Sequence, residues 1–201
     1  MIRLAAAALA FVGLIGGAAA EPGGCAKVAN KFLCADPTLL ALEKEAARLG
    51  VLTVAGAYRT TPPSGQEVAQ TNARFNEALV GCHDSNPCLQ RTFVAYIRRL
   101  RQDSPAARSK DSEGISLGPF VAACPGLDAL IGVTFVNSEP GFAWLDWRDN
   151  SFLLQQSAAA SGARYTGAFG TGEAQFWSKG KDATLELPGK PTLHCQIQEG
   201  G

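Results

Sequence analysis

The sequence predicts an α+β protein in which a disulfide-stapled helical domain is followed by a small eight-stranded antiparallel β-barrel. Apolar residues of the first half recur at the three- and four-residue spacing of helices, whereas from Phe120 onward the spacing changes to two. All six cysteines lie after residue 20, and an even number of cysteines in an exported chain indicates disulfides. A chain of 201 residues with 46% hydrophobic content is long enough to bury one core or two small ones.

Residues 1–20 are predicted to form a secretory signal peptide. A short basic start containing Arg3 precedes an apolar run over residues 4–15, and three alanines before Glu21 provide a cleavage site. The apolar run is too short to span a membrane, and no transmembrane segment is predicted elsewhere. The remaining chain is expected to be a soluble periplasmic protein. Lipid anchoring at Cys25 is less favoured, because proline and glycine, rather than an apolar run, directly precede this cysteine.

The charge of the chain excludes one class of partner. The full chain has 18 basic and 18 acidic residues, so removal of Arg3 with the signal peptide leaves 17 basic residues against 18 acidic ones. A nucleic-acid-binding protein needs a basic face, and no nucleic-acid partner is therefore predicted. The sequence does not indicate an oligomeric state.

Residues 21–103 are predicted to form the helical domain. Asp36-Pro37 is an N-cap followed by proline at the first helical position, so the first helix begins there and runs toward Tyr58. A second helix is predicted from about Gln66 to Val80, with a glycine at its end, and Asn86-Pro87 begins a third. The apolar faces consist of Leu39, Leu42, Ala46 and Leu49 in the first helix, Val68, Phe75 and Leu79 in the second, and Leu89, Phe93, Ile97 and Leu100 in the third.

The end of the helical domain is predicted from charge and composition. The basic run Arg98-Arg99-x-Arg101 is expected to be the solvated face of the third helix. Residues 104–114 are small or charged and have no apolar period, which is typical of a linker. This segment is predicted to connect the helical domain to a second domain at residues 115–201.

Four cysteines (Cys25, Cys34, Cys82 and Cys88) belong to the helical domain, which is small enough to need covalent links for stability. If the first two helices form an antiparallel hairpin, the nested pairing of Cys34 with Cys82 and of Cys25 with Cys88 is geometrically easy. Local pairing of Cys25 with Cys34 and of Cys82 with Cys88 is the alternative, and the sequence leaves both open. A zinc site is disfavoured, because the closest pair, Cys82-x5-Cys88, is wider than the usual ligand spacing.

The second domain is predicted to be a closed, or nearly closed, antiparallel barrel. Short segments of alternating apolar residues are separated by glycine, proline, asparagine and aspartate turns. Closure of such a sheet removes its unpaired edges. The predicted strands are 119–124, 129–136, 142–147, 150–155, 163–169, 173–178, 182–187 and 191–197.

Residues 161–180 carry the most informative motif. They have the pattern of a strand, a glycine-rich turn and a second strand, with Ser161 on the loop before the first strand and Lys179 just past the second. The sequence Ser-Gly-x-x-Tyr, followed by Phe-Trp-x-Lys-Gly and then Ala-Thr-Leu-Glu-Leu, resembles the membrane-bound and periplasmic inhibitors of C-type lysozyme (the MliC/PliC family). The matching residues are Ser161, Gly162, Tyr165, Trp177, Lys179, Gly180 and Ala183.

The resemblance implies an eight-stranded barrel that acts as an inhibitor rather than an enzyme, without a cofactor, and whose partner is C-type lysozyme. The implied lysozyme-binding residues are Ser161, Gly162, Tyr165, Lys179 and Gly180. Ser161 would offer a hydroxyl to the protonated acid of the lysozyme cleft, and Lys179 would offer an ammonium group to the ionised one. The family pattern also implies a disulfide between Cys124 and Cys195, which would join the first strand to the last.

Two further features concern the limits of the family pattern. The segment from Tyr165 to Phe176 is longer than the usual family spacing, which is expected to lengthen the hairpin tip and to leave Ser161 and Lys179 at its base. The helical domain resembles, more weakly, the N-terminal domain of LprI-type lysozyme-inhibitor-like lipoproteins. That resemblance rests on the Cys-Ala-Asp-Pro sequence at Cys34, on the cysteine spacing and on the helical pattern.

Enzyme interpretations are disfavoured. Asp146 alternates with tryptophans in a predicted strand, and Asp149 occupies a predicted hairpin turn, so they are not interpreted as glycosidase acids. Ser161 has no base beside it in sequence, since the only histidines are His83 and His194, and no acidic cluster indicates a metal site. The alternatives are a periplasmic binding module for cell-wall fragments or for a small apolar ligand inside the barrel, and a cell-envelope hydrolase.

Overall fold

The computed structural model describes residues 35–55, 65–108 and 113–199. In this part of the chain, a helical layer precedes a closed β-barrel, which confirms the predicted fold class. The predicted signal peptide, the cysteines at 25 and 34, and the extension of the first helix toward Tyr58 lie outside the described residues.

The helices are α1 (Pro37–Ala55), α2 (Gly65–Gly81), α3 (Asn86–Asp103) and α4 (Pro105–Arg108). The first three are the predicted ones. α1 begins where Oδ1 of Asp36 accepts hydrogen bonds from the backbone N–H groups of Thr38 (2.8 Å) and Leu39 (3.2 Å), so Asp36 is the N-cap that the sequence predicts. Among the described helices, none combines the length and the apolar content that crossing a bilayer requires.

The fourth helix differs from the sequence prediction, because α4 lies inside the segment predicted to be a linker. Ser104 and Ala107 are buried, and α4 contacts α1, α3 and the first strand of the barrel. Four residues are too few to show a helical period in the sequence, which is why composition alone indicates a linker. The helical layer and the barrel are therefore in contact, and the division into domains at 21–103 and 115–201 remains a prediction.

The barrel strands are β1 (Ser116–Ala123), β2 (Leu130–Val136), β3 (Phe142–Trp147), β4 (Asn150–Ser157), β5 (Ala163–Phe169), β6 (Gly172–Lys179), β7 (Asp182–Glu186) and β8 (Leu193–Glu199). Each strand pairs antiparallel with the next, and β8 pairs with β1. The closed barrel was predicted and is confirmed. β1 begins earlier than predicted, because Gly118-Pro119 interrupts the alternation and coincides with an irregular register between Leu117 and Phe120.

The interior of the barrel is filled by its own side chains. The buried residues inside it are Ala122, Ile131, Val133, Ala143, Leu145, Trp147, Phe152, Leu154, Tyr165, Ala174, Phe176, Ala183, Leu185 and Ile197, with the disulfide of Cys124 and Cys195. Small barrels of eight strands have an interior just wide enough for side chains. This packing disfavours the alternative of a small apolar ligand inside the barrel.

Strand β3 is buried on both of its faces. Leu145 and Trp147 point into the barrel, whereas Phe142 and Trp144 point outward and pack against α1 and α3. Asp146, two residues after Trp144, also points outward, and its carboxylate accepts a hydrogen bond of 3.0 Å from Nε of Arg98 in α3. The helical layer therefore packs on the outside of the barrel at β3.

Arg101 corrects the expectation that the basic run of α3 is solvated. Its side chain is 1% exposed, and its guanidinium donates to the carbonyl of Gly118 (2.6 Å), to Oγ of Ser116 (3.2 Å) and to the carbonyl of Arg108 (3.0 Å). Helical periodicity places Arg101 on the same face as the apolar residues of α3, four positions from Ile97. Arg98 is bonded to Asp146 of the barrel and Arg101 is buried, so only Arg99 of the three arginines is strongly exposed.

Glu45 of α1 completes the polar connection between the helices and the barrel. The Glu45 carboxylate is bonded to Arg48 of the same helix (2.9 Å) and accepts hydrogen bonds from the backbone N–H (3.2 Å) and the hydroxyl of Ser116. Burial by itself raises the pKa of Glu45, but the hydrogen bonds from Arg48 and Ser116 and the charge of Arg48 outweigh burial. The net effect is that the pKa lies below its ordinary value of 4.5.

We expect Glu45 to make stability depend on pH in the acid range. A carboxyl group whose pKa is lower in the folded state stabilises that state above the unfolded pKa, and the contribution is lost as the pH falls through the folded pKa. The melting temperature should therefore decrease as the pH is lowered past about 4.5, which is near the unfolded carboxyl pKa. The decrease should be smaller in Glu45→Gln, which lacks the titrating group. Thermal unfolding of both proteins at pH 7 and pH 3 measures the difference, and equal losses would contradict the assignment to Glu45.

The disulfide in the helical part excludes one of the two pairings left open by the sequence. Cys82 is bonded to Cys88, with 5.4 Å between their Cα atoms, so the nested pairing of Cys82 with Cys34 and of Cys88 with Cys25 is wrong. The reason is the short connection between α2 and α3, in which His83 adopts a positive φ of 49° and turns the chain back on itself. Cys124 is bonded to Cys195, with 4.1 Å between their Cα atoms, as the family resemblance implied.

Candidate functional site

The loop before β5 and the turn after β6 lie at the same end of the barrel. β5 and β6 form a hairpin with its turn at residues 170–171, and Ala163 pairs with Ser178 at the opposite end. Ser161 lies just before β5, and Lys179 is the last residue of β6. Both are exposed and lie at the base of the hairpin, where the sequence predicted them.

Gly162 lies directly against β6. Its φ is +68°, and a Cβ atom at this position would come within 2.4 Å of the carbonyl oxygen of Ser178 and within 3.3 Å of Cβ of Lys179. A side chain would therefore collide with the backbone of β6 and would strain the left-handed conformation. Glycine thus allows the loop that carries Ser161 to lie beside Lys179.

Trp177 connects this loop to the barrel wall. The indole Nε1–H donates a hydrogen bond of 2.8 Å to the carbonyl oxygen of Ser161. Because the neighbouring Phe176 points into the barrel, Trp177 points outward, and its side chain is half-buried. The rigid indole on β6 therefore fixes the backbone of the loop.

Tyr165 has a different position from the other motif residues. It points into the barrel, is 4% exposed, and packs near Phe135 with 5.5 Å between ring centroids. Burial raises the pKa of the Tyr165 phenol. A buried ring cannot contact a partner, so the contribution of Tyr165 to this site is to hold β5 in place.

Lys179 carries the positive charge of the site. Gly180, with a φ of +64°, begins the turn that joins Lys179 to Asp182, and these two residues are paired across β6 and β7. The carboxylate of Asp182 accepts a hydrogen bond of 2.7 Å from the side-chain amide of Gln196. Within residues 35–55, 65–108 and 113–199, the Lys179 ammonium group makes no hydrogen bond or salt bridge.

Arg164 adds a second cation on the same outer surface. It is paired with Trp177 across β5 and β6, so both side chains lie on the outside of the barrel. Its Nε donates to the hydroxyl of Ser157 at 3.0 Å, which is a neutral partner. The sequence motif includes none of Arg164, Asp182 and Gln196, although the alternation of the strands could have placed them on the outer face.

The residues considered for enzyme activity do not converge on this site. Asp146 is bonded to Arg98 below the helical layer, and Asp149 lies in the two-residue turn between β3 and β4. His83 lies in the helical layer and His194 on β8, so neither is on the strands that flank Ser161. Among the described residues, no group of three or more histidine, cysteine, aspartate and glutamate side chains is arranged to hold a metal ion.

The barrel matches a known family. Residues 123–194 match the family model MliC, described as the membrane-bound lysozyme-inhibitor of c-type lysozyme. The match runs from the end of β1 to the start of β8, so it covers most of the barrel and none of the helices. It confirms the resemblance predicted from residues 161–180, whereas the resemblance of the helical part to LprI-type proteins stays a prediction. Neither the curated proteins nor the solved structures contain a significant match to the chain.

Proposed function

We propose that this protein is an exported inhibitor of C-type lysozyme that inserts the Ser161 loop and the Lys179 side chain into the active-site cleft of the enzyme. The observation that carries the proposal is the position of the Ser161 loop beside Lys179 at the base of one hairpin, where a Cβ atom on the adjacent Gly162 would lie 3.3 Å from Cβ of Lys179. The family match of the surrounding barrel supports the same partner. In this proposal the protein is soluble in the periplasm after loss of residues 1–20.

The chemistry of the lysozyme cleft fits a hydroxyl beside an ammonium group. The cleft holds two carboxyl groups, of which one is kept protonated by an apolar pocket and the other is ionised. The Ser161 hydroxyl can accept a hydrogen bond from the protonated acid, and the Lys179 ammonium can donate to the carboxylate. A charge-assisted hydrogen bond of this kind contributes about 1.5–3 kcal/mol.

The barrel fixes the backbone segments that carry these two groups. Ser161 is held through Trp177, and Lys179 is the last residue of a strand with neighbours on both sides. A preorganised loop loses little conformational entropy on binding, so more of the interaction energy contributes to affinity. The helical layer packs on β1 and β3, whereas the site is on β5 and β6, across the barrel. The enzyme can therefore approach the site without displacing α1 or α3.

The proposal is tested by a lytic assay. The full chain, with its N-terminus processed by the expressing cell, is purified and added to C-type lysozyme acting on a suspension of bacterial cell walls. We expect lysis to slow in proportion to the added protein until the enzyme is saturated. Unchanged lysis at a large excess of the protein would refute the proposed function.

The same preparation tests the alternatives. A binding module for cell-wall fragments predicts changes in tryptophan fluorescence on addition of muropeptides when lysozyme is absent. A cell-envelope hydrolase predicts release of soluble fragments from cell walls by the protein alone. We expect neither result. The candidate acids and histidines are dispersed, which disfavours a hydrolase, and the filled interior leaves no room for a small ligand inside the barrel.

We expect Trp177→Phe to weaken inhibition by about five-fold, because this change removes the hydrogen bond to the Ser161 carbonyl and such bonds contribute about 1 kcal/mol. The ring that covers the barrel wall is largely retained, so the melting temperature should change little. The inhibition constant and the melting temperature are measured together. If inhibition is unchanged while the protein remains folded, Trp177 does not fix the loop.

A further inference from the structure

Asp182 lies between two polar residues on the outer surface of the barrel. It is paired with Lys179 across β6 and β7, and with Gln196 across β7 and β8. The neighbouring Ala183 and Cys195 point into the interior, so Lys179, Asp182 and Gln196 all point outward in one row. The Asp182 carboxylate thus has two neighbours with which it can bond.

The carboxylate is bonded to the amide and not to the ammonium group. Oδ1 of Asp182 accepts a hydrogen bond of 2.7 Å from Nε2 of Gln196. An aspartate directly opposite a lysine on adjacent strands ordinarily forms a favourable cross-strand pair. Within the described part of the chain, the Lys179 ammonium group has no such partner. The hydrogen bond from Gln196 therefore directs the Asp182 carboxylate toward β8, which lies on the opposite side of β7 from Lys179.

We infer that Gln196 is a positioning residue, which holds Asp182 and thereby keeps the ammonium group of Lys179 available to a carboxylate of the partner enzyme. The inference rests on the proposed function and adds to it a residue outside the family motif. If Asp182 paired with Lys179, the enzyme would have to break that pair before its own carboxylate could bind the lysine. Inhibition would then weaken although the site residues were unchanged.

The decisive experiment compares three variants of the full chain: Gln196→Ala, Asp182→Asn, and the double variant. Gln196→Ala releases the Asp182 carboxylate toward Lys179. We expect the inhibition constant for C-type lysozyme to rise by about two- to five-fold at low ionic strength, which is the upper part of the range for an exposed ion pair. The rise should shrink at high salt, because salt screens exposed charges. Asp182→Asn should inhibit at least as strongly as the natural protein.

The double variant separates this mechanism from a loss of structure. Once Asp182 is replaced by asparagine, no carboxylate competes for Lys179, so the double variant should inhibit as strongly as Asp182→Asn alone. Gln198→Ala removes another exposed, outward glutamine from the same strand and should have no effect. Natural inhibition by Gln196→Ala, or inhibition by the double variant as weak as that of Gln196→Ala, would overturn the inference.

A measurement without lysozyme makes the result independent of the proposed function. The Lys179 ammonium group is followed by NMR in the isolated protein, and its Nζ chemical shift should move in Gln196→Ala, because the Asp182 carboxylate then bonds to it, but not in the double variant. An unchanged chemical shift in Gln196→Ala would overturn the inference even if the protein inhibits lysozyme. If the chemical shift moves but the natural protein does not inhibit, the proposed function fails, and the positioning of Lys179 by Gln196 is retained.

Discussion

Lys179→Ala is expected to raise the inhibition constant for C-type lysozyme by about 10- to 100-fold. The reason is the loss of a charge-assisted hydrogen bond in a cleft from which water is excluded, and such a bond contributes about 1.5–3 kcal/mol. Lys179 is exposed at the end of β6, so its replacement should leave the melting temperature nearly unchanged. The inhibition constant is measured in the lytic assay, beside a thermal unfolding curve of the same sample.

Lys190→Ala is the matched control for this prediction. Lys190 is an exposed lysine in the connection between β7 and β8, which lies at the other end of the barrel from Lys179. Its replacement changes the net charge by the same amount, so an effect of overall charge alone would appear in both variants. Equal inhibition constants for the two variants would show that Lys179 has no special role. Ser161→Ala should weaken inhibition less than Lys179→Ala, because it removes a neutral group.

Arg101→Met is expected to lower the free energy of unfolding by about 3–5 kcal/mol, the range observed when one partner of a buried charged network is removed. The methionine cannot donate to the carbonyl oxygens of Gly118 and Arg108, so both lose the hydrogen bonds from Arg101. The hydroxyl of Ser116, which is bonded to the Glu45 carboxylate, also loses its contact with the guanidinium. Urea unfolding followed by tryptophan fluorescence measures the change.

Arg99→Met tests whether the effect depends on burial. Arg99 lies on the same helix, is 63% exposed in its side chain, and is paired with Asp103. An exposed ion pair contributes about 0–1 kcal/mol, so this variant should be nearly as stable as the natural protein. If both arginine variants lose the same amount, the buried network does not explain the stability of the contact between the helices and the barrel.

Most of the secondary structure followed from local features of the sequence. Asp36-Pro37 and Asn86-Pro87 predicted the starts of α1 and α3, because an N-cap side chain and a proline without an N–H act within one turn. The alternation of apolar residues predicted the strands, because one face of each strand is buried in the barrel and this pattern is also local. The errors occurred at Gly118-Pro119, where the alternation is interrupted, and at α4, which is too short to have a period.

The candidate site was predicted only in part. The family motif identified Ser161 and Lys179, and the structure brings the loop of the first beside the second. It also buries Tyr165, which the same motif included among the binding residues. Asp182 and Gln196 come together because β7 and β8 pair in one register, and residues separated by 14 positions have no signal in the sequence that connects them.

The sequence by itself determined the order of helices and strands, the closure of the barrel and the two groups proposed to bind lysozyme, since each depends on neighbouring residues or on a motif. Only the tertiary structure decided which partner each polar side chain has. The bonding of Cys82 with Cys88, the burial of Arg101 and the bond between Gln196 and Asp182 are examples. The physical reason is that a bond between distant residues depends on packing and strand register, which arise when the whole chain folds.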